Sequence, residues 1–153
     1  MTKRSAERTE ALSCILIDGL TYDWFGVREL NEDTVTATVM AANPDDPEDG
    51  EPTLHTIGPD DVARGLRMYR EYLEGKREGY PGEWRFEARA AVRQGRIASE
   101  DEFVPEIHCR APKQSYGWQT VEFDRTNGRE GDYDANTADS VMQFAIYGHA
   151  VFG

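Results

Sequence analysis

Apolar residues recur at spacings of three and four in several stretches of the chain, each the mark of a helix with one buried face. The most regular run is near the C-terminus, where Ala138, Val141, Met142, Ala145, Ile146 and His149 predict a helix over residues 135–147. Asp134 or Asn136 can cap its start, Asp139 lies near the positive end of its dipole, and Gly148 is placed to stop it. The apolar tail that follows, residues 150–152, must pack or pair somewhere, and this helix with its tail is the expected core of the fold. Near the N-terminus, Leu12, Ile15, Leu16, Gly19 and Leu20 predict a helix over residues 5–20. A strand over 13–17 competes with it, but the stripe outlasts five residues and favours the helix.

Two more helices are expected in the middle. Val62, Leu66, Tyr69 and Leu73 form a stripe over residues 60–74, with Pro59 at its start and Asp60 and Asp61 in its first turn. Arg67 with Glu71 and Arg70 with Glu74 stand four apart on its outer side. Gly75 and the run Gly79-Tyr80-Pro81-Gly82 turn the chain into a helix over 83–93, burying some of Trp84, Ala88, Ala91 and Val92 and ending at Gly95.

Other stretches read as strands. Tyr22, Trp24, Phe25 and Val27 precede the β-branched run at residues 34–40, and Asn31, Glu32 and Asp33 between them suggest a hairpin with Trp24 on or near its core face. Trp24 reads first as a buried anchor and second as a binding residue. Residues 53–57 are expected to return as a third strand, and the run from Trp118 to Phe123, before Asn127-Gly128, as a fourth. Ser99 and Glu102 have the spacing of a capping box for a short helix. Residues 1–4 read as a loose end. The fold class predicted is α+β: a single domain over residues 1–153, about four helices with a small antiparallel sheet.

Charge changes this picture more than length does. The 153 residues carry 29 acidic and 17 basic side chains, a net charge of −12. Such a field opposes strong nucleic-acid binding and anionic membranes, and favours a basic partner or plain solubility. Only Lys3, Lys76 and Lys113 are lysines, which fits a high-salt surface, an Arg-rich coding bias or a nucleic-acid mimic alike. The acidity is uneven: residues 1–59 hold four basic and twelve acidic side chains, residues 60–98 nine and seven, and residues 99–153 four and ten. A nucleic-acid contact would have to use the middle portion, on Arg64, Arg67, Arg77, Arg85, Arg89, Arg93 and Arg96. The densest acidic run, NPDDPEDGEP at residues 43–52, has three Pro and no basic residue and reads as an exposed acidic loop. It fails as a calcium-binding EF loop, because Pro47 and Thr56 fall where ligands are required.

Candidate chemistry is sparse. His55, His108 and His149 have no metal-motif spacing, and His108-Cys109 is expected on extended backbone with its side chains diverging. Cys14 and Cys109 do not make a disulfide framework, and no apolar run approaches a membrane span of roughly 20 residues. A reduced, cytoplasmic protein is therefore expected. No phosphate-binding glycine loop, HExxH, GxSxG or CxxC occurs, so no cofactor is expected.

IGPDDVARGL at residues 57–66, with GDYDANTADSVMQFAIYGHAVFG at the C-terminus, resembles small accessory proteins of bacteriophages and mobile elements from high-GC bacteria. The likeness covers about half the chain and implies an accessory or host-interaction role; it carries no catalytic residue. The function expected is non-enzymatic: an interaction or inhibitory protein that occupies a basic macromolecular surface, of a host or nucleic-acid-processing protein, with mimicry of nucleic acid as one form of this. The binding residues expected are Asp45, Asp46, Glu48 and Asp49 in the loop, Glu100, Asp101, Glu102 and Glu106, and Asp132 with Asp134. The alternative is a small metal-dependent hydrolase built on clustered carboxylates, drawing also on Asp139.

Overall fold

A computed structural model describes residues 4–152, so residues 1–3 of the expected loose end, and Gly153, lie outside the described residues. Among the described residues, six α-helices and one three-stranded antiparallel sheet follow in the order α1 (Ala6–Gly19), β1 (Phe25–Asn31), β2 (Thr36–Ala41), β3 (Thr53–Ile57), α2 (Pro59–Leu73), α3 (Glu83–Arg93), α4 (Pro105–His108), α5 (Tyr116–Arg125) and α6 (Ala135–Tyr147). A single 3₁₀ turn, Glu100–Glu102, precedes α4.

Helix α6 lies at the centre, against α1 on one side and α2 on the other. Asp134 caps its start by accepting from the Thr137 N–H at 2.8 Å, and Thr137 returns the bond to the Asp134 N–H at 3.0 Å. Gly148 ends it at φ 82°, a left-handed conformation that glycine adopts without steric cost. Close approach to α2 is permitted by Gly65, where a Cβ would stand 2.5 Å from the Val141 carbonyl oxygen and 2.9 Å from Ala145 Cβ. Arg64 reaches from α2 across this seam, donating to the Ala145 carbonyl at 2.8 Å near the negative end of α6.

The sheet order is β1-β2-β3, with Phe25 opposite Ala41, Val39 opposite both Val27 and His55, and a bulge between Val27 and Glu29. Ala37, Val39 and Ala41 of β2 point inward and join Leu12, Leu16, Val62, Leu66, Met142 and Phe144 in one core. Val35, in the turn before β2, is fully buried at φ 55°, a conformation that β-branched residues rarely adopt.

The helices expected at 5–20, 60–74, 83–93 and 135–147, the hairpin and the third strand are all present, but four helices is an undercount. The expected strand at 118–123 is instead part of α5. Its buried residues are the small Gly117 and Thr120, which give no apolar signature, while Trp118, Val121 and Phe123 are only partly buried against the core. Asn127-Gly128 does turn the chain, at φ 54° and 84°, but after a helix rather than between strands. Ser99 makes no capping bond; Glu102 accepts from Ala98 N–H instead. His149 falls beyond the Gly148 stop, outside the helical stripe. His108 and Cys109 lie at the end of α4 and not on extended backbone.

Candidate functional site

The polar centre of the fold is built on α6. Gln143 is fully buried, and both ends of its amide are used. Its Nε2 donates to Asp139 Oδ2 at 2.7 Å and to the Phe152 carbonyl at 3.1 Å, while its Oε1 accepts from the Val151 and Phe152 N–H groups at 2.7 and 2.9 Å. The apolar tail is thus pinned by one side chain, and Ala150 N–H adds a bond to the Gly79 carbonyl at 2.7 Å. Asp139, one turn earlier, also accepts from Trp24 Nε1 at 2.9 Å. Burial pushes this carboxyl above its ordinary range, while the Trp24 and Gln143 donors act in the opposite direction.

These bonds fix a stack of aromatic rings. Trp24 lies between Tyr22, with centroids 4.7 Å apart and planes 3° apart, and Phe152, at 4.8 Å and 17°. Tyr147 packs edge-on against Phe152 and donates its hydroxyl to the Ala42 carbonyl at 2.8 Å. Ala42 N–H in turn donates to the Trp24 carbonyl at 2.8 Å, extending the β1–β2 pairing by one step. The acidic loop leaves the sheet at that point and is delivered beside the rings.

The loop has its own local order. Asn43 Oδ1 accepts from Asp45 N–H at 2.9 Å, Asp46 Oδ1 accepts from Asp49 N–H at 3.2 Å, and Gly50 N–H donates to the Asp46 carbonyl at 2.8 Å. Between loop and rings lies an open recess of about 530 Å³, lined by Trp24, Phe152, Ala42 and Pro47 and by the carboxylates of Asp23, Asp45, Asp46 and Glu48. Among the described residues no basic side chain lines it. Four like charges over an aromatic surface attract a cation, and the rings supply the desolvated area that a guanidinium or ammonium stem can cover.

Of the ten acids expected to bind, the structure brings Asp45, Asp46 and Glu48 together in this recess. Asp49 is exposed in the same loop but does not line it. Glu100 pairs with Arg89 of α3 at 3.5 Å, Glu102 bonds the Ala98 N–H, and Asp101 and Glu106 are exposed. Asp132 is exposed ahead of α6, and Asp134 serves as the cap of that helix. Asp23 and Phe152 were not anticipated. Asp23 lay outside the dense acidic run, and the contact of Phe152 with Trp24 joins two ends of the chain that only the fold brings together. Trp24 is packed against the core as the anchor weighed for it, and its exposed part lines the recess.

The other candidate chemistries have different surroundings. Asp139 is engaged by Trp24 and Gln143, and among the described residues no three His, Cys, Asp or Glu side chains are grouped to hold a metal ion. Burial, with Glu87 and Glu83 nearby, pushes the Cys109 thiol up to about 11, and burial with Glu10 and Asp18 raises Cys14, so both are thiols at neutral pH. Among the middle arginines, Arg64 pairs with Asp61, Arg67 and Arg77 with Glu71, and Arg89 with Glu100. No helix among the described residues is long and apolar enough to cross a membrane.

The chain matches no protein-family model, no curated protein and no solved structure.

Proposed function

We propose that this protein is a non-enzymatic binder that occupies a basic surface on another macromolecule, using the acidic loop and the aromatic recess beside it. The observation that carries this reading is the coincidence of four carboxylates with Trp24 and Phe152 in one recess. Acidity alone would serve solubility; acids set beside a packed aromatic wall combine long-range attraction with short-range contact. The partner this chemistry fits is a protein segment that presents Arg or Lys next to an apolar side chain, as on a host or nucleic-acid-processing protein. Blocking such a surface is an inhibitory act, which agrees with the phage-type accessory role that the sequence resemblance implies. Binding by this face leaves nucleic acid itself excluded by charge, in a reducing, cytoplasmic setting.

The test is affinity capture from cell extract at low and moderate salt, with the wild-type chain and with a variant carrying Asp45→Asn, Asp46→Asn and Glu48→Gln. A basic protein retained by the wild type and lost from the variant, with release as salt rises, is the expected result. A partner retained equally by both would refute the assignment of the recess.

A further inference from the structure

A second recess, beside α2 and α5, has the opposite electrostatic sign. Of about 670 Å³, it lies between the C-terminal part of α2, the segment leading into α5, and α5 itself. Its rim carries four cations, Arg70, Arg110, Lys113 and Arg125, against two carboxylates, Glu74 and Glu122. Arg70 is held by Glu74 at 2.9 Å and Arg125 by Glu122 at 2.5 Å. Arg110 and Lys113 are exposed and form no ion pair among the described residues. A balance of +2 is thereby concentrated in one concavity of a chain whose net charge is −12.

Two apolar side chains, Trp118 and Val121, also line the recess, and the surrounding backbone is fixed. Trp118 Nε1 donates to the Ala111 carbonyl at 3.1 Å, and Ala111 N–H donates to the Leu73 carbonyl at 2.8 Å, so the indole and the Arg110–Lys113 segment are both tied to the end of α2. Val121 and Trp118 are both half-buried where they line the recess.

We propose that this recess binds a small phosphate monoester carried on a flat ring, of the class of nucleoside monophosphates. Three features select that class. A phosphate monoester carries close to two negative charges at neutral pH, matching the local excess. Guanidinium groups offer forked donors suited to phosphate oxygens, with Lys113 as a point charge beside them. The Trp118 ring gives a base a surface on which to stack, and the volume lies in the range of small-molecule sites. A long polyanion is disfavoured, because beyond the recess it would run over a surface of its own sign. The site is separate from the acidic recess, so it stands or falls independently of the binder reading.

Isothermal titration of the full chain with AMP, adenosine, inorganic phosphate and a peptide of the sequence of residues 43–52 tests the assignment. AMP is expected to bind at least tenfold more tightly than either adenosine or inorganic phosphate, and more weakly as salt rises. Arg110→Gln and Lys113→Gln, both at exposed positions, should each weaken AMP about tenfold or more with unchanged circular dichroism. Arg28→Gln with Arg85→Gln, which lowers the net charge elsewhere, should leave the affinity within twofold. Absence of AMP binding at millimolar concentration, equal affinity for inorganic phosphate, preference for the acidic peptide, or indifference to the Arg110 and Lys113 variants would each overturn it.

Discussion

Replacing Gln143 by Leu removes the clamp while leaving the helix and its buried volume nearly intact. The side chain makes four hydrogen bonds, of which three go to the tail backbone and one to the Asp139 carboxylate. At about 1 kcal/mol net for a bond between neutral groups and about 1.5–3 for one to a charged group, the upper sum is roughly 6 kcal/mol. Val151 and Phe152 are half-buried, so their backbone groups can turn to water once released. The remaining cost, dominated by a buried carboxylate with one donor instead of two, is about 3 kcal/mol. For a domain of this size each kcal/mol moves the melting temperature by roughly 2–4 °C, so Gln143→Leu should melt about 6–12 °C below the wild type. The local consequence is specific: Phe152 lifts from Trp24, and the Trp24 indole N–H exchanges with solvent faster, as read by NMR hydrogen exchange. A fall of less than about 2 °C with unchanged indole exchange would refute the claim that Gln143 holds the tail and the aromatic wall together.

Gly65→Ala places a methyl group against the Val141 carbonyl and Ala145, and should cost about 1–3 kcal/mol by separating α2 from α6; urea unfolding with no loss would contradict that packing. Val35→Gly relieves a left-handed strain of about 1–2 kcal/mol that Val35→Ala retains, so the glycine variant should be at least as stable as the alanine variant. A glycine variant weaker by more than about 1 kcal/mol would deny the strain. Because burial raises the Asp139 pKa on folding, the folded chain binds the extra proton and this group's contribution to stability falls as pH rises from about 3.9 through the folded pKa, then stays level. The stability of wild type minus Asp139→Asn should therefore decline across that window, and a difference that grew with pH there would reverse the assignment.

The helices with large apolar stripes and clear ends were legible in the sequence. α6 is bounded by Asp134 and Gly148, and α2 begins at Pro59 with acids in its first turn; both signals are local and act as expected. α5 was misread because Gly117 and Thr120, its buried positions, look like loop or strand residues in isolation, and the Thr120 hydroxyl is satisfied within the helix by the Tyr116 carbonyl. Gln143 is hidden for a related reason. A polar residue within an apolar run reads as solvent-facing, and only the tail folding back gives its amide buried partners. The acidic loop was visible from its Pro and Asp content, whereas the recess it forms needs Trp24 and Phe152, which lie far apart in the chain.

The division of labour between charge and ring is the central claim for the binder, and association kinetics with the captured basic partner measure it most directly. Asp45→Asn with Asp46→Asn and Glu48→Gln should slow association and flatten its salt dependence while leaving dissociation nearly unchanged. Trp24→Leu, confirmed as folded, should do the reverse, speeding dissociation about tenfold or more with little change in the association rate. Association untouched by the acidic substitutions, or dissociation untouched by loss of the Trp24 ring, would contradict the account.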